Sequence, residues 1–291
     1  MDIKTGLLML SLLFDCIGTK ADYVLGNFRS PALDRLAGPE DDLSNYFEYD
    51  TDFRISGGSR AAEGRHPHIV ALTVGVPIGI LFCGGSLVAH RTILTAAHCL
   101  KIKDTIEHLR ALVGTNQWNS GGTHYTLSGF LAHPDFVENA YMNDIALFYT
   151  TSDVIYTTVV RPVALSFSYV PPDVLVKVVG WGSDPLANEP LLSRDLRELV
   201  TVTLDGNECA SRWSNSPRPN APPIDPRTQL CTFHSRDHGI CYGDSGGPLT
   251  RADNGHQIGV VSWMFPCAKG FPDIYVRISI HQSWLKANII D

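Results

Sequence analysis

The sequence of 291 residues predicts an antiparallel all-β protein, a barrel or a sandwich, with one helix at the C-terminus. Three observations lead to this prediction. From residue 55 onward, short apolar runs are broken by Gly, Pro, Asn and Asp, which is typical of many short strands. Near the end of the chain, Ile280, Trp284, Leu285 and Ile289 fall on one helical face. Six cysteines follow residue 55, which favours a disulfide-bonded extracellular domain.

The first 21 residues predict a secretory signal peptide. Lys4 precedes an apolar run at residues 7–14, which is too short to span a bilayer but suits the apolar core of a signal. Gly18 and Ala21 offer small residues at which a signal peptidase would cut. The alternative is a buried N-terminal helix. We expect a secreted, extracellular protein, and no later segment predicts a membrane span.

Residues 22–54 form an acidic segment without cysteine. They hold eight Asp or Glu residues against three Arg, a net charge of −5 within the total of −7. We expect this segment to be weakly ordered. The first 21 residues balance at zero, so residues 55–291 carry a net charge of −2. This small charge argues against nucleic acid or an anionic membrane as a partner.

The apolar runs that predict strands lie throughout the rest of the chain. Examples are His68–Val76, Gly85–Leu94, Leu175–Val179, Val200–Leu204 and Gly259–Ser262. The six cysteines that remain after removal of Cys16 with the signal predict three disulfides, and their count alone leaves fifteen pairings open. Each disulfide would stabilise the fold by about 2–4 kcal/mol.

Three short strings carry the chemistry, and each contains one reactive residue: TAAHC with His98, NDIAL with Asp144 and GDSGGP with Ser245. Taken singly, they also suit a packed histidine, a turn aspartate and a tight glycine turn. Together they predict nucleophilic catalysis, because a serine hydroxyl attacks well only when a positioned base removes its proton.

Further strings extend the pattern: CGGSL at 83–87, GWG at 180–182, VSW at 261–263 and PDIY at 272–275. With them, residues 55–291 resemble the chymotrypsin-like (trypsin-fold) serine peptidases. The resemblance implies two antiparallel six-stranded β-barrels followed by the C-terminal helix. It places the histidine and the aspartate on the first barrel and the serine on the second, so that the site lies between them.

The resemblance also implies a role for each residue of the site. His98 takes the proton of Ser245 and passes it to the leaving amine, while Asp144 orients the imidazole and Ser262 hydrogen-bonds Asp144. The backbone N–H groups of Gly243 and Ser245 form the oxyanion hole. The implied disulfides are Cys83–Cys99, Cys209–Cys231 and Cys241–Cys267. No cofactor or metal is expected; His234 and His238 have helical metal spacing, but loop histidines are the stronger interpretation.

The string ISGG after Arg54 resembles the activation site of this family, with Ser56 where valine is common. Cleavage by a trypsin-like protease would free the ammonium group of Ile55 to pair with Asp244, beside the nucleophile. We therefore predict a zymogen with a signal peptide at 1–21, an activation propeptide at 22–54 and a peptidase domain at 55–291.

The resemblance also identifies the residues around the substrate pocket: Gly239, Tyr242, Ser262, Trp263, Met264 and Asp273. Trypsins carry Asp at the position of Gly239, so cleavage after Arg or Lys is disfavoured. Gly239 with Asp273 on the other wall resembles the crustacean collagenolytic peptidases, although Asp273 also suits a solvated or hydrogen-bonded structural carboxylate. Met264 replaces a usual glycine and should narrow the pocket. This favours chymotrypsin- or elastase-like cleavage after small or medium uncharged residues.

The sequence thus predicts a monomeric serine endopeptidase that acts on proteins and peptides and is subject to serine-protease inhibitors. Its simple layout resembles the digestive enzymes of arthropods. Two alternatives stay open: a non-catalytic homologue that binds partners, and a regulator that cuts a few preferred substrates.

Overall fold

The computed structural model describes residues 55–75, 79–102, 104–183, 192–217, 221–264 and 267–291. The predicted signal peptide and propeptide lie outside the described residues. In chain order the strands are β1 (Ser59–Arg60), β2 (Ile69–Val74), β3 (Ile80–Ala89), β4 (Thr92–Thr95), β5 (Leu109–Val113), β6 (Thr123–Ala132), β7 (Ala146–Thr150), β8 (Leu175–Gly180), β9 (Arg197–Val202), β10 (Gln229–Thr232), β11 (Pro248–Arg251), β12 (Gln257–Trp263) and β13 (Asp273–Arg277). The α-helices are α1 (Gly206–Ser214) and α2 (Gln282–Asn288). Short 3-10 helices occupy Ala97–Lys101, Ile106–His108, Glu138–Ala140 and Ile278–His281.

Six strands of the first half close into an antiparallel barrel in the order β2-β3-β4-β7-β6-β5. Its core is aliphatic and aromatic, with fully buried Leu72, Leu87, Ile93, Leu147 and Phe148. The predicted run Gly85–Leu94 covers the end of β3 and the start of β4, which pair with each other as a hairpin. The predicted first barrel is confirmed.

The second half is a seven-stranded antiparallel sheet in the order β1-β9-β8-β11-β12-β13-β10. The end of β10 and the residue after β9 meet at one isolated bridge, between Thr232 and Thr203. Beside this bridge, Phe233 N–H donates to the carbonyl of Val202 at 3.1 Å. The six strands β8–β13 thus form a half-barrel where the resemblance implied a second closed barrel, and β1 adds a two-residue edge to β9.

The sequence analysis expected one helix, and the structure corrects this by adding α1. The Asp205 side chain caps α1 by accepting the N–H groups of Asn207 and Glu208 at 2.9 and 3.0 Å. Cys209 and Trp213, four residues apart, are the buried residues of this helix. Two buried positions in nine residues make no continuous apolar stripe, so the periodicity of the sequence did not reveal α1.

The C-terminal helix is present as α2, with Leu285 fully buried and Trp284 partly buried. The expectation for Ile280 is wrong, because this side chain is 47% exposed. Ile280 lies in the preceding 3-10 helix, whose three-residue turn places it off the face calculated for an α-helix.

Three disulfides join the elements in the pairs that the resemblance implied. Cys83–Cys99 links β3 to the turn after β4, Cys209–Cys231 links α1 to β10, and Cys241–Cys267 links two loops. In the described residues, no helix is long and apolar enough to cross a membrane.

Candidate active site

His98 and Asp144 lie at the same end of neighbouring strands of the first barrel. His98 is in the 3-10 helix directly after β4, and Asp144 comes two residues before β7. Thr95 and Ala146 are register partners in the β4–β7 pair. Residues that follow one antiparallel strand and precede its neighbour meet at a common edge, so this register brings the two side chains together.

Asp144 is completely buried and accepts three hydrogen bonds from described groups. Its Oδ1 accepts the backbone N–H of His98 at 2.8 Å. Its Oδ2 accepts from His98 Nδ1 at 2.7 Å and from the hydroxyl of Ser262 at 2.6 Å. Because both of these groups must donate to a carboxylate, Nδ1 of His98 carries a proton, and in the neutral form of the ring Nε2 holds the lone pair. This tautomer suits a general base.

Ser245 lies between the two sheets, on the segment that leads into β11. Its carbonyl accepts the N–H of Gly84 on β3 at 2.7 Å, which links it to the first barrel. Gly246 has a φ of +80°, and a Cβ there would lie 2.1 Å from Thr95 Oγ1 and 2.5 Å from the carbonyl of Gly84. A side chain at 246 would therefore force the two sheets apart at the site.

His98 and Ser245 border the same cleft between the barrel and the second sheet, but in the described chain no hydrogen bond joins them directly. His98 Nε2 lies 3.9 Å from Cys99 Sγ, and the imidazole is 18% exposed. Hydrogen bonds between a serine and its base are often long or misaligned in unliganded enzymes and tighten when substrate binds.

The N–H groups of Gly243 and Ser245 donate no hydrogen bond to any described residue. Gly243 has a φ of +102°, a conformation that glycine adopts easily. Two adjacent unpaired donors next to a serine hydroxyl can stabilise a negatively charged oxygen.

Asp244 lies completely buried between these two donors. Its Oδ1 accepts the N–H of Gly182 at 2.7 Å and its Oδ2 the N–H of Cys241 at 2.9 Å. A Cβ at Gly180 or Gly182 would lie 2.1 Å from the carboxyl oxygens, so the GWG string provides space for this side chain. Burial raises the pKa of Asp244 to about 7, against the effect of the two backbone donors.

Ile55 is completely buried in the core of the second sheet, together with Ile240. The adjoining carbonyl of Ser56 accepts the N–H of Gly239 at 3.0 Å, and Gly58 N–H donates to the carbonyl of Ile55 at 2.7 Å. The resemblance implied such burial for the chain cleaved after Arg54. Arg54 itself lies outside the described residues.

The six predicted pocket residues lie on three segments: the loop at 239–242, the end of β12 with Met264, and the start of β13 at Asp273. Gly239 and Asp273 are in contact, because Asp273 occupies the space where a side chain at 239 would begin. Met264 packs partly buried against the same core as Ile240. Trp263 is buried, whereas Tyr242 is 65% exposed.

Strand β12 extends past its neighbour β11 next to Ser245. The register of these two strands ends at the pair Pro248–Val260, followed by a hydrogen bond from Gly246 N–H to the carbonyl of Val261 at 2.8 Å. Residues 262–264 therefore have no described strand partner on that side. An extended peptide can pair with this edge.

Two aromatic residues that the sequence analysis did not identify also border the site. Tyr141 meets the His98 ring edge-on at 5.8 Å between centroids, and it lies 6.1 Å from Trp263. Trp213 on α1 packs against Trp263 at 4.7 Å. Nothing local in the sequence marks these positions, although Tyr141 is three residues before Asp144.

His234 and His238 stack in parallel with their centroids 4.4 Å apart. The Nδ1 atoms of both rings lie within 3.0 Å of Ser235 Oγ. One hydroxyl thus bridges the pair.

A closed antiparallel barrel beside a second antiparallel sheet, with a serine, a histidine and an aspartate at their junction, defines the class of two-barrel serine hydrolases. The family model described as Trypsin matches residues 55–285. Chymotrypsin-2 of Vespa crabro is 31% identical over 236 residues, which cover 80% of this chain and 99% of that protein. Hypodermin-B of Hypoderma lineatum is 32% identical, covering 81% and 88%. Alkaline trypsin A of Manduca sexta is 32% identical, covering 81% and 91%. The chain belongs to the trypsin family of serine endopeptidases.

Proposed function

We propose that this chain is a secreted zymogen whose mature form hydrolyses peptide bonds through Ser245, His98 and Asp144. The observation that carries the proposal is the 2.7 Å hydrogen bond between His98 Nδ1 and the buried carboxylate of Asp144. The Nδ1–H of His98 is held by Asp144, which also accepts from Ser262, so Nε2 is free to take a proton in the same cleft as Ser245.

The chemical steps follow from this arrangement. Ser245 attacks the substrate carbonyl as His98 removes its proton, and the N–H groups of Gly243 and Ser245 stabilise the resulting oxyanion. His98 then protonates the leaving amine, and a water molecule hydrolyses the acyl-enzyme by the reverse sequence. Removing one oxyanion donor typically costs a factor of roughly 10²–10³ in rate.

Activation proceeds through cleavage of the Arg54–Ile55 bond by a trypsin-like protease. The new ammonium group of Ile55 pairs with Asp244, a buried carboxyl that two backbone N–H groups bind but that no described cation neutralises. This ion pair holds the Gly243–Ser245 segment in its active form. Signal-peptide removal within residues 1–21 and a propeptide at 22–54 belong to the same proposal.

Specificity is for small or medium uncharged side chains before the cleaved bond. Gly239 provides no charge at the floor, Met264 narrows the pocket, and Asp273 is buried and hydrogen-bonded to Ile240 N–H. The mature enzyme therefore does not cut its own Arg54–Ile55 bond. The enzyme acts as a monomer on extracellular protein, and the trypsin and chymotrypsin names of its relatives support proteolysis.

The test begins with the purified precursor, treated with immobilised trypsin, after which the trypsin is removed. A serine-directed phosphonate and a proteome-derived peptide library are then applied, and labelled residues and cut sites are read by mass spectrometry. We expect labelling of Ser245 and cuts after Leu, Ala, Met or Phe.

Two variants serve as controls: Ser245→Ala, which should be cleaved but remain unlabelled, and Arg54→Gln, which should remain uncleaved and inactive. No labelling and no cuts, with Ile55 verified as the new N-terminus, would instead make the chain a binding homologue. Cuts mainly after Arg or Lys would disprove the proposed specificity, and cleavage of a few preferred proteins alone would indicate a regulator.

A further inference from the structure

A cavity of about 490 Å³ lies beside helix α1. Ala210, Trp213 and Ser214 of α1 form one wall, and Ser216 with residues 221–224 forms the other. None of these residues belongs to the catalytic, oxyanion or pocket residues named above. This space, the α1 cavity, is partly open to solvent, so a ligand can enter it.

The walls of the α1 cavity are rigid before any ligand binds. The Cys209–Cys231 disulfide closes the chain segment that contains all of its described lining residues. The proline ring fixes φ, which restrains the far wall at Pro222 and Pro223, and Pro222 is buried. A preformed site loses little free energy to the ordering of its own side chains when a ligand binds.

The lining of the α1 cavity selects a neutral ligand with an apolar ring. Of its eight described lining residues, six are apolar and two are serines, so none is ionisable. The volume is within the range of small-molecule sites, roughly 300–1,000 Å³. The hydroxyl of Ser216 is buried and has no hydrogen-bond partner among the described residues. A hydroxyl or N–H group on the ligand would provide that partner.

Trp213 connects the α1 cavity to the edge on which a peptide can pair. Its side chain lines the cavity, is 2% exposed, and packs against Trp263 with 4.7 Å between the ring centroids. Trp263 is the middle residue of the edge at 262–264. A ligand in the cavity therefore contacts a ring that in turn supports this edge.

We propose that the α1 cavity is an effector site, which binds a small neutral aromatic molecule with one hydroxyl or N–H group and thereby strengthens peptide binding. The ligand holds Trp213 against Trp263, so the protein loses less conformational freedom when a peptide pairs with residues 262–264. KM therefore falls, while kcat is unchanged because the ligand does not touch the catalytic residues. The effect on peptides rests on the proposed function, whereas binding in the cavity does not.

The binding test uses the uncleaved chain with Ser245→Ala and 2-naphthol, a neutral two-ring molecule with one hydroxyl. Isothermal titration calorimetry at pH 7 should show one saturable site with a dissociation constant below about 100 μM. Ser216→Ala should weaken binding by about 2- to 10-fold, because the hydroxyl of the probe loses its partner. Naphthalene-2-carboxylate, which is charged at this pH, should not bind.

Ala221→Trp fills the cavity and should abolish the binding of 2-naphthol. The matched control Ala252→Trp, at an exposed alanine in the turn after β11, should retain it. Thermal melting verifies the folding of each variant, and Ala210→Phe fills the cavity from the side of α1 as a second test. Absence of saturable binding, or binding that persists in the filled variants, overturns the proposal.

The effector role is measured with the trypsin-activated enzyme and a peptide anilide with four residues before the cleaved bond. Saturating 2-naphthol should lower KM by about fivefold or more at constant kcat, and should have no effect on Ala221→Trp. An unchanged KM overturns the effector role, as does a raised KM, which would mean competition beside Ser245. An activated chain that cleaves no peptide, although its precursor binds 2-naphthol, overturns the proposed function and the effector role but supports the binding site.

Discussion

Replacing Glu198 with glutamine should destabilise the fold through an ion cluster that joins its two halves. Glu198 on β9 is hydrogen-bonded to His66, which precedes β2, and forms ion pairs with Lys177 on β8 at 3.3 Å and Arg65 at 3.4 Å. Its side chain is 15% and that of Lys177 13% exposed. The variant leaves Lys177 nearly buried without its carboxylate partner.

The magnitude follows from the pKa of Glu198. Burial alone would raise it, but the hydrogen bond from His66 and the charges of Lys177 and Arg65 outweigh burial and lower the pKa from 4.5 to about 2. At about 1.4 kcal/mol per pKa unit, this corresponds to about 3 kcal/mol. Removing one partner of a buried pair costs about 3–5 kcal/mol, which agrees.

The sign of the pH dependence is fixed by this lowered pKa. The carboxylate stabilises the fold fully above pH 4.5, its unfolded value, and the contribution is lost as the pH falls towards about 2. The variant should therefore be less stable than the unmodified chain by about 3 kcal/mol at pH 7. This difference should become progressively smaller below pH 4.5.

The assay is thermal melting of the uncleaved chain with Ser245→Ala in all samples, which prevents self-digestion. For a domain of this size, about 3 kcal/mol lowers Tm by roughly 6–12 °C. Asp253→Asn, in the exposed pair with Arg251, is the control and should change stability by less than about 1 kcal/mol. An equal Tm loss at pH 7 and pH 3 would refute the ionic origin of the effect.

Three further predictions concern the site and its surroundings. Ser262→Ala removes a 2.6 Å hydrogen bond to the buried Asp144 and should lower kcat by about 10- to 100-fold, since hydrogen bonds to charged groups contribute about 1.5–3 kcal/mol. An unchanged kcat would show that the other two donors to Asp144 suffice. Replacing Cys83 and Cys99 together by serine should lower the free energy of unfolding by about 3 kcal/mol. Urea unfolding of the Ser245→Ala chain measures this, and an unchanged free energy of unfolding would contradict it. Met264→Gly should raise kcat/KM for a phenylalanine peptide relative to an alanine peptide by at least about tenfold, and an unchanged ratio would mean that Met264 does not narrow the pocket.

Much of the site could be predicted from the sequence because its residues lie in short strings with fixed local geometry. TAAHC places His98 on the turn after β4, and the glycines around Ser245 adopt the positive φ values that such a turn requires. In the first barrel, the predicted runs His68–Val76 and Gly85–Leu94 cover β2 and parts of β3 and β4. Strand β6 alternates with many exposed residues, and the barrel itself was implied by the resemblance.

Other features depend on tertiary packing, which apolar patterning does not reveal. The local signal for helix α1 is the Asp205 cap with Glu208 three residues later, and the burial of Trp213 stabilises the helix without an apolar stripe. The Glu198 cluster unites residues more than a hundred positions apart, His66 and Glu198 among them. The contact of Asp273 with Gly239 and its hydrogen bond from Ile240 N–H likewise join residues more than thirty positions apart.

The way the strands end bears on how molecules of this protein associate. A closed barrel has no free strand edge. In the described part of the second sheet the end strands are β1, with two exposed residues that include Arg60, and β10, whose four residues are all buried. Aggregation through strand pairing therefore has little on which to grow. Residues 262–264, at and just after the end of β12, are different, because an extended chain that pairs with them lies beside Ser245. In the proposed chemistry such a chain is cut, so this free strand edge also removes a chain that pairs with it.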